Sequence, residues 1–213
     1  MNTTELLGIC RAEVFDLQLP YLWSDPLIYA YIDDAQKQFC RLTYGIEDAR
    51  SFKLNIKDDG TVWYAIDPLI LKIRDAIDPA TGAPVDLVAV EKMAEGRMKF
   101  DGLIGPLKAL ITGMEKGYVR AYPIPALAST VELRTFRLSN DVAAGDDFEI
   151  DPQHILNLLS WVKYRLYMVQ DADARDEKKA ATNKAEFETY CAKAKVEQSR
   201  ARRPVSNVTY GGI

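Results

Sequence analysis

The period of the hydrophobic side chains changes twice along this chain, and that double switch most limits what it can fold into. From Ser24 onward apolar residues recur every three or four positions. From Phe52 they alternate, and from Ile155 the helical spacing returns. Such a pattern describes an α+β chain whose strands are collected between helices instead of interleaved with them. The expected architecture is a helical bundle with an inserted antiparallel β-domain and an extended C-terminal tail. The divisions read 1–50 for the N-terminal helical part, 51–145 for the β-rich insertion, 146–203 for the C-terminal helices and 204–213 for the tail. At 213 residues the chain is long enough to bury a sizeable core.

The first strong helix starts at Ser24, an N-cap residue followed by Asp25 and Pro26 in the first turn, where an acid and a missing N–H both fit. Ile28, Ile32, Ala35, Phe39 and Leu42 form its apolar stripe, and Gly45 ends it. A second helix is capped by Asp151, opened by Pro152 and striped by Ile155, Leu158, Leu159, Val162, Leu166 and Val169, with Trp161, Tyr164 and Tyr167 widening the stripe. The last helix spans roughly Asp176 to Arg202 and contains no Pro or Gly. Its stripe is thin: Ala180, Phe187, Cys191 and Ala194. Propensity alone does not stabilise such a helix, so a neighbouring copy is expected to complete its burial.

Between the helices, Phe52, Leu54 and Ile56 alternate with polar residues up to an Asp58-Asp59-Gly60 turn, and Val62 to Tyr64 reads as the return strand of a hairpin. Further strands are expected at Leu69–Ile77, Val85–Val90, Lys108–Thr112, Tyr118–Tyr122 and Val131–Leu138, with a helical turn at Glu91–Glu95 closed by Gly96. Pro123 and Pro125 cannot donate to a ladder and belong at an edge or between strands. So many short strands without intervening helices favour a sandwich or meander over a parallel sheet.

The chemistry-bearing residues do not form a constellation. The three cysteines, Cys10, Cys40 and Cys191, have no metal-ligand spacing and read as partly buried thiols of a reducing compartment. His154 is the one histidine and reads as a polar residue at a helix start. Phosphate-cradling loops and nucleophile elbows are absent from the sequence. Asp33-Asp34 lies on a helix, where adjacent side chains diverge; Asp58-Asp59 is turn chemistry; Asp146-Asp147 precedes a helix start. No catalytic, cofactor-binding or metal residue is therefore expected. The start MNTTELLGIC has no basic segment ahead of an apolar one, so a secretion signal is not expected. No apolar stretch is long enough to span a bilayer.

A net charge of −4 gives no whole-protein attraction to nucleic acid or anionic membrane. One local bias opposes it. Lys193, Lys195, Arg200, Arg202 and Arg203 cluster at the end of the last helix, where cations suit the dipole and also offer a docking surface for an acidic partner or passing nucleic acid. Val205, Val208 and Tyr210 in the tail have the spacing to add as an extended strand to a partner's edge. The tail is too short and polar to bury itself, so it is expected to order only on assembly.

The order of these segments resembles a known family. WSDPLIYAYIDDAQKQFCRL from Trp23, WYAIDPLILKI from Trp63, YPIP from Tyr122, TVELRTFRL from Thr130 and IDPQHILNLLSWVKYRLY from Ile150 follow one another as in the head-to-tail adaptor (connector, tail tubular or gatekeeper) proteins of short-tailed phages. The resemblance runs from Trp23 to about Tyr190 and lies in the ordered set, not in any single motif. It implies a non-enzymatic virion subunit, assembled in the host cytoplasm and resident in the neck between head and tail. It implies a ring of about twelve identical copies beneath the portal protein, receiving the tail nozzle protein on its other face, through which phage DNA passes without sequence-specific binding. It implies no cofactor and no membrane. Two other readings remain: a nucleic-acid-binding protein that uses the basic last helix, and a tail-associated hydrolase that brings distant carboxylates together in a cleft.

Overall fold

The computed structural model describes residues 1–95, 102–169 and 175–202, and within them the chain divides into a helical unit, Met1–Tyr44 with the part from Ser139 onward, and a strand unit, Gly45–Leu138. Helices α1 (Thr3–Glu13) and α2 (Asp25–Leu42) lead into the strand unit. There β1 (Ile46–Ile56), β2 (Trp63–Ala65), β3 (Ile70–Ile77) and β4 (Pro84–Ala89) precede a short α3 (Val90–Glu95), and β5 (Ile104–Gly105), β6 (Ala109–Thr112), β7 (Tyr118–Tyr122), β8 (Ile124–Pro125) and β9 (Ser129–Arg137) follow it. Helices α4 (Pro152–Ile155), α5 (Leu158–Tyr167) and α6 (Glu177–Ala201) return to the helical unit. The fold class is α+β, as the periodicity predicts.

The helical unit is built on the expected stripes. Ile28, Ile32, Ala35 and Phe39 of α2 are buried, as are Leu158, Leu159, Val162 and Leu166 of α5. Ser24 and Asp151 stand at the N-cap positions expected of them, but neither side chain makes a capping hydrogen bond. The segment from Pro152 to Tyr167 is two helices and not one. Hydrogen bonds from His154 N to Asp151 O, Asn157 N to His154 O and Leu159 N to Leu156 O, each reaching back three residues, tighten the chain between α4 and α5. Helix α1 was not legible as a separate element. It starts with a capping box: Glu5 N donates to Asn2 Oδ1 at 2.9 Å and Asn2 N donates to Glu5 Oε2 at 3.0 Å.

Helix α6 corrects one expectation. Its thin stripe does not wait for a neighbouring copy, because Ala180, Phe187, Cys191 and Ala194 are all buried within the chain against α5 and α2. Side-chain size is the reason. Ala180, Cys191 and Ala194 are small enough for close helix approach, so only Phe187 needs a pocket, and its ring centroid lies 5.2 Å from that of Trp161. Asp176 caps the helix by accepting from Lys179 N at 2.9 Å.

In the strand unit, seven strands run in the order β1-β9-β3-β4-β6-β7-β2, and β5 and β8 form a separate pair. The sheet is mostly antiparallel, but β4 and β6 pair in parallel, as do β5 and β8. The expected 52–64 hairpin does not form. β1 pairs with β9, with Leu54 opposite Val131, whereas β2 pairs with β7. The sheet is therefore curled: β1 and β2 stand at opposite ends of the strand order, yet only residues 57–62 join them. The Tyr64 hydroxyl accepts from Lys57 N at 3.0 Å and donates to Thr61 O at 2.9 Å, and Ala121 N donates to Val62 O at 2.8 Å. Leu54, Ile56, Tyr64, Ala76, Val85, Leu110, Val119, Ala121, Val131 and Leu133 fill the core.

β1 also begins earlier than the Phe52 read from alternation. A bulge between Asp48 and Phe52 interrupts the pattern and is held by one side chain. Asp48 Oδ1 accepts from Arg50 N at 3.0 Å and Ser51 N at 2.9 Å, while Oδ2 accepts from Arg137 Nε at 2.9 Å. Burial works to raise this carboxyl's pKa, but the hydrogen bonds from Ser51, Arg50 and Arg137 outweigh it and hold it well below the usual carboxylate range.

Two substitutions test these contacts by urea unfolding. Gly45 has φ +72°, and an added Cβ would lie 2.6 Å from Arg137 O, so Gly45→Ala destabilises by about 2 kcal/mol or more. Phe187→Ala empties the pocket under α6 and costs about 3–5 kcal/mol.

Candidate assembly interface

The basic residues singled out on α6 divide between two places. Lys195 and Arg202 lie over the Tyr44 ring, with Nζ 5.6 Å and Cζ 4.8 Å from its centroid. Tyr44 N donates to Gln198 Oε1 at 3.4 Å on the same side of the helix. Lys193 and Arg200 instead line a shallow groove of about 460 Å³ with Thr189, Ala192, Val196 and Glu197. Val196 is 50% exposed there, an apolar side chain between charged ones. A second groove, of about 640 Å³, shares Thr189 and Lys193 and runs between α5 and α6 past Asn157, Ser160, Thr182, Ala185, Glu186 and Tyr190. Residues 182, 185, 186, 189, 193, 196, 197 and 200 recur at spacings of three and four, so the two grooves follow one outward face of α6. Arg203, Val205, Val208 and Tyr210 lie outside the described residues, as do Gly96 and the 204–213 tail.

This face combines charged side chains with small and hydroxyl ones. Three exposed cations of the strand unit pair with acids. Lys53 pairs with Glu132 at 2.8 Å, Arg74 with Glu47 and Asp75, and Arg134 with Asp75 at 3.5 Å. Each such surface pair contributes little to stability.

His154 stands at a helix start, as expected, but as a core residue. It is buried, its ring centroid lies 4.8 Å from that of Phe39, and Nδ1 is 2.7 Å from the Tyr190 hydroxyl. Burial lowers its pKa, against the opposing pull of Asp151 and Glu197. Tyr190 therefore ties α6 to α4 on its inner side while its flank lines the outer groove.

The carboxylate pairs have structural partners. Asp33 accepts from Lys37 Nζ at 2.6 Å and from Val142 N at 3.1 Å. Asp34 accepts from Trp161 Nε1 at 2.8 Å and Arg165 at 2.9 Å. Asp59 accepts from Thr61 N, and Asp146 from Ala143 N. Cys10, Cys40 and Cys191 are all buried, and burial pushes the Cys10 and Cys191 thiols up to about 12, which leaves them unreactive. Among the described residues, no group of three or more His, Cys, Asp or Glu side chains is placed to hold a metal ion, and no helix is long and apolar enough to cross a membrane.

The family described as SU10 adaptor protein matches residues 1–209, almost the full 213. This chain belongs to the SU10 adaptor protein family. The match bears out the resemblance to phage head-to-tail adaptors, and it assigns the chain a structural role in the virion, not a place in an enzyme class. No curated protein matches the adaptor.

The sequence did not reveal one surface feature of the adaptor. Between α1 and α2, the segment Phe15–Leu22 presents large apolar side chains to solvent, with Phe15 at 91%, Leu17 at 63% and Leu19 at 78% exposure. A buried arginine holds it. Arg11 pairs with Asp16 and Asp25, donates to Trp23 O at 2.9 Å, and stacks 3.7 Å from the Tyr21 ring centre. Asp16 in turn accepts from Leu22 N at 2.8 Å. The available signal was Arg11 on an otherwise apolar helix face with Asp16 five residues on.

Because burial disfavours the charged form of His154, the folded adaptor takes up this proton less readily than the unfolded chain. Stability that is complete above the ordinary histidine pKa of about 6.5 is lost as pH falls below it. Urea unfolding between about pH 7 and pH 5 should show this slope, and His154→Asn should flatten it.

Proposed function

We propose that this adaptor is one subunit of a ring in the phage neck that joins the portal protein to the tail nozzle protein and encloses part of the DNA channel. The carrying observation is the family match across residues 1–209. In this reading the ring holds about twelve copies, as the resemblance to head-to-tail adaptors implies. The helical unit surrounds the channel and the strand unit forms a separate β-domain. The outward face of α6, with Lys193, Val196 and Arg200, docks onto a protein partner. The expectation for Arg203, Val205, Val208 and Tyr210 stands with it: contact with a neighbouring copy or the portal.

The charge distribution agrees with transient DNA passage better than with tight DNA binding. Lys195 and Arg202 are engaged with Tyr44, and Lys193 and Arg200 share their groove with Glu197. A protein that neutralises several phosphates loses affinity steeply with salt, whereas a channel wall needs only weak contact.

Mass measurement of the purified adaptor with and without its portal tests the reading. The expected result is a complex of many adaptor copies on the portal. Particles that lack the adaptor yet keep genome and tail would defeat it.

A further inference from the structure

Helix α6 is held unevenly along its length. Its first half is anchored by Phe187, fully buried beside Trp161, and by Asp176 at the N-cap. Lys179 and Lys184 add cation–π contacts to Tyr167 and Tyr164. Beyond Phe187 the buried side chains are Cys191 and Ala194, which are small and bury little apolar area. This second half is also fastened by polar contacts. The Tyr190 hydroxyl lies 2.7 Å from His154 Nδ1 and donates to Gln153 O at 3.4 Å, and Gln198, Lys195 and Arg202 meet Tyr44.

His154 sits beneath this second half. Only 2% of it is exposed, and it lies between the Phe39 ring of α2 and the Tyr190 ring of α6. The charges acting on it are both acids, Asp151 at the α4 N-cap and Glu197 on α6. Phe39 carries no charge. Burial pushes the Tyr190 pKa up, so its hydroxyl keeps its proton wherever histidine titrates. The two acids favour an imidazolium, yet burial outweighs them. A proton on His154 therefore favours a state in which Tyr190 has lifted and water reaches the ring.

We propose that proton uptake by His154 releases the second half of α6, residues 189–201, while α2, α5 and the Phe187 anchor stay packed. The device is a latch. It is closed when a neutral imidazole lies under Tyr190 and open when an imidazolium meets water. It requires part of one helix to open at a lower free energy than global unfolding, which the pH slope of overall stability does not. The released stretch carries Lys193, Val196 and Arg200, so the same proton dismantles the groove they line. The latch belongs to the single chain and needs no ring.

Hydrogen exchange of backbone amides in the purified full-length adaptor tests the latch, at pH 7, 6 and 5 and corrected for the intrinsic exchange rate. His154 is the one histidine of the chain, so its imidazole NMR signals follow the titration directly. Amides of residues 189–201 should be less protected than those of residues 28–39 in α2 at each pH. Their opening should rise several-fold from pH 7 to pH 5, with a ceiling of roughly 25-fold for an open-state pKa of about 6.5. His154→Asn should abolish the rise. Should that variant not fold, Tyr190→Phe decides: loss of the hydroxyl should lower the protection of 189–201 at pH 7 and leave 28–39 unchanged. Equal protection of the two stretches would mean that only global unfolding frees His154, and the proposal fails. It fails equally if the opening of 189–201 is independent of pH, rises as much in His154→Asn, or is unaffected by Tyr190→Phe.

Discussion

Phe187 is sealed against Trp161 where α6 crosses α5, and the small side chains of Ala180, Cys191 and Ala194 allow that approach. The helical unit depends on it. The crossing also brings Tyr190 to His154, and through His154 to Phe39 of α2. Four helices, α2, α4, α5 and α6, therefore share one set of aromatic contacts. Because α6 spends most of its apolar residues inward, its outward face is left with Thr, Ala, Lys, Glu and Arg beside the half-exposed Val196. That division allows one helix to belong to the core and to present a surface to partners.

The strand unit depends on a different constraint, the curling of its sheet. β1 and β2 are neighbours in sequence but ends in the sheet, and Tyr64 bonds across the short link between them. At the other end of β1, Gly45 passes close to the Arg137 carbonyl and Asp48 holds the bulge. These devices act where strand pairing departs from a regular ladder. A structural adaptor needs such rigidity, since its surfaces must present a fixed shape to neighbours.

Much of the helical part was legible. The stripes of α2 and α5 are spaced at three and four, and that spacing leaves one way to bury them. The N-terminal part was read as helical, but α1 was not separated from α2, because Arg11 breaks the apolar reading of its face. The placement of the basic residues was only partly legible. Clustering in sequence put Lys193, Lys195, Arg200 and Arg202 together, but the helical turn of 100° per residue sends Lys195 and Arg202 to Tyr44 and the others to the groove. The exposure of Phe15, Leu17 and Leu19 was not legible, because sequence does not state whether a hydrophobic side chain finds cover.

By itself, the sequence determined the fold class, the location of the strands between helices, the inward stripe of every long helix and the adaptor family. These depend on local periodicity and on the order of segments, which a chain carries before it folds. Only the tertiary structure decided which strands pair, that α6 completes its burial within one copy, and that Arg11 turns an apolar loop outward. Each of those outcomes depends on contacts between residues distant in sequence, where the competing arrangements differ in geometry and not in composition.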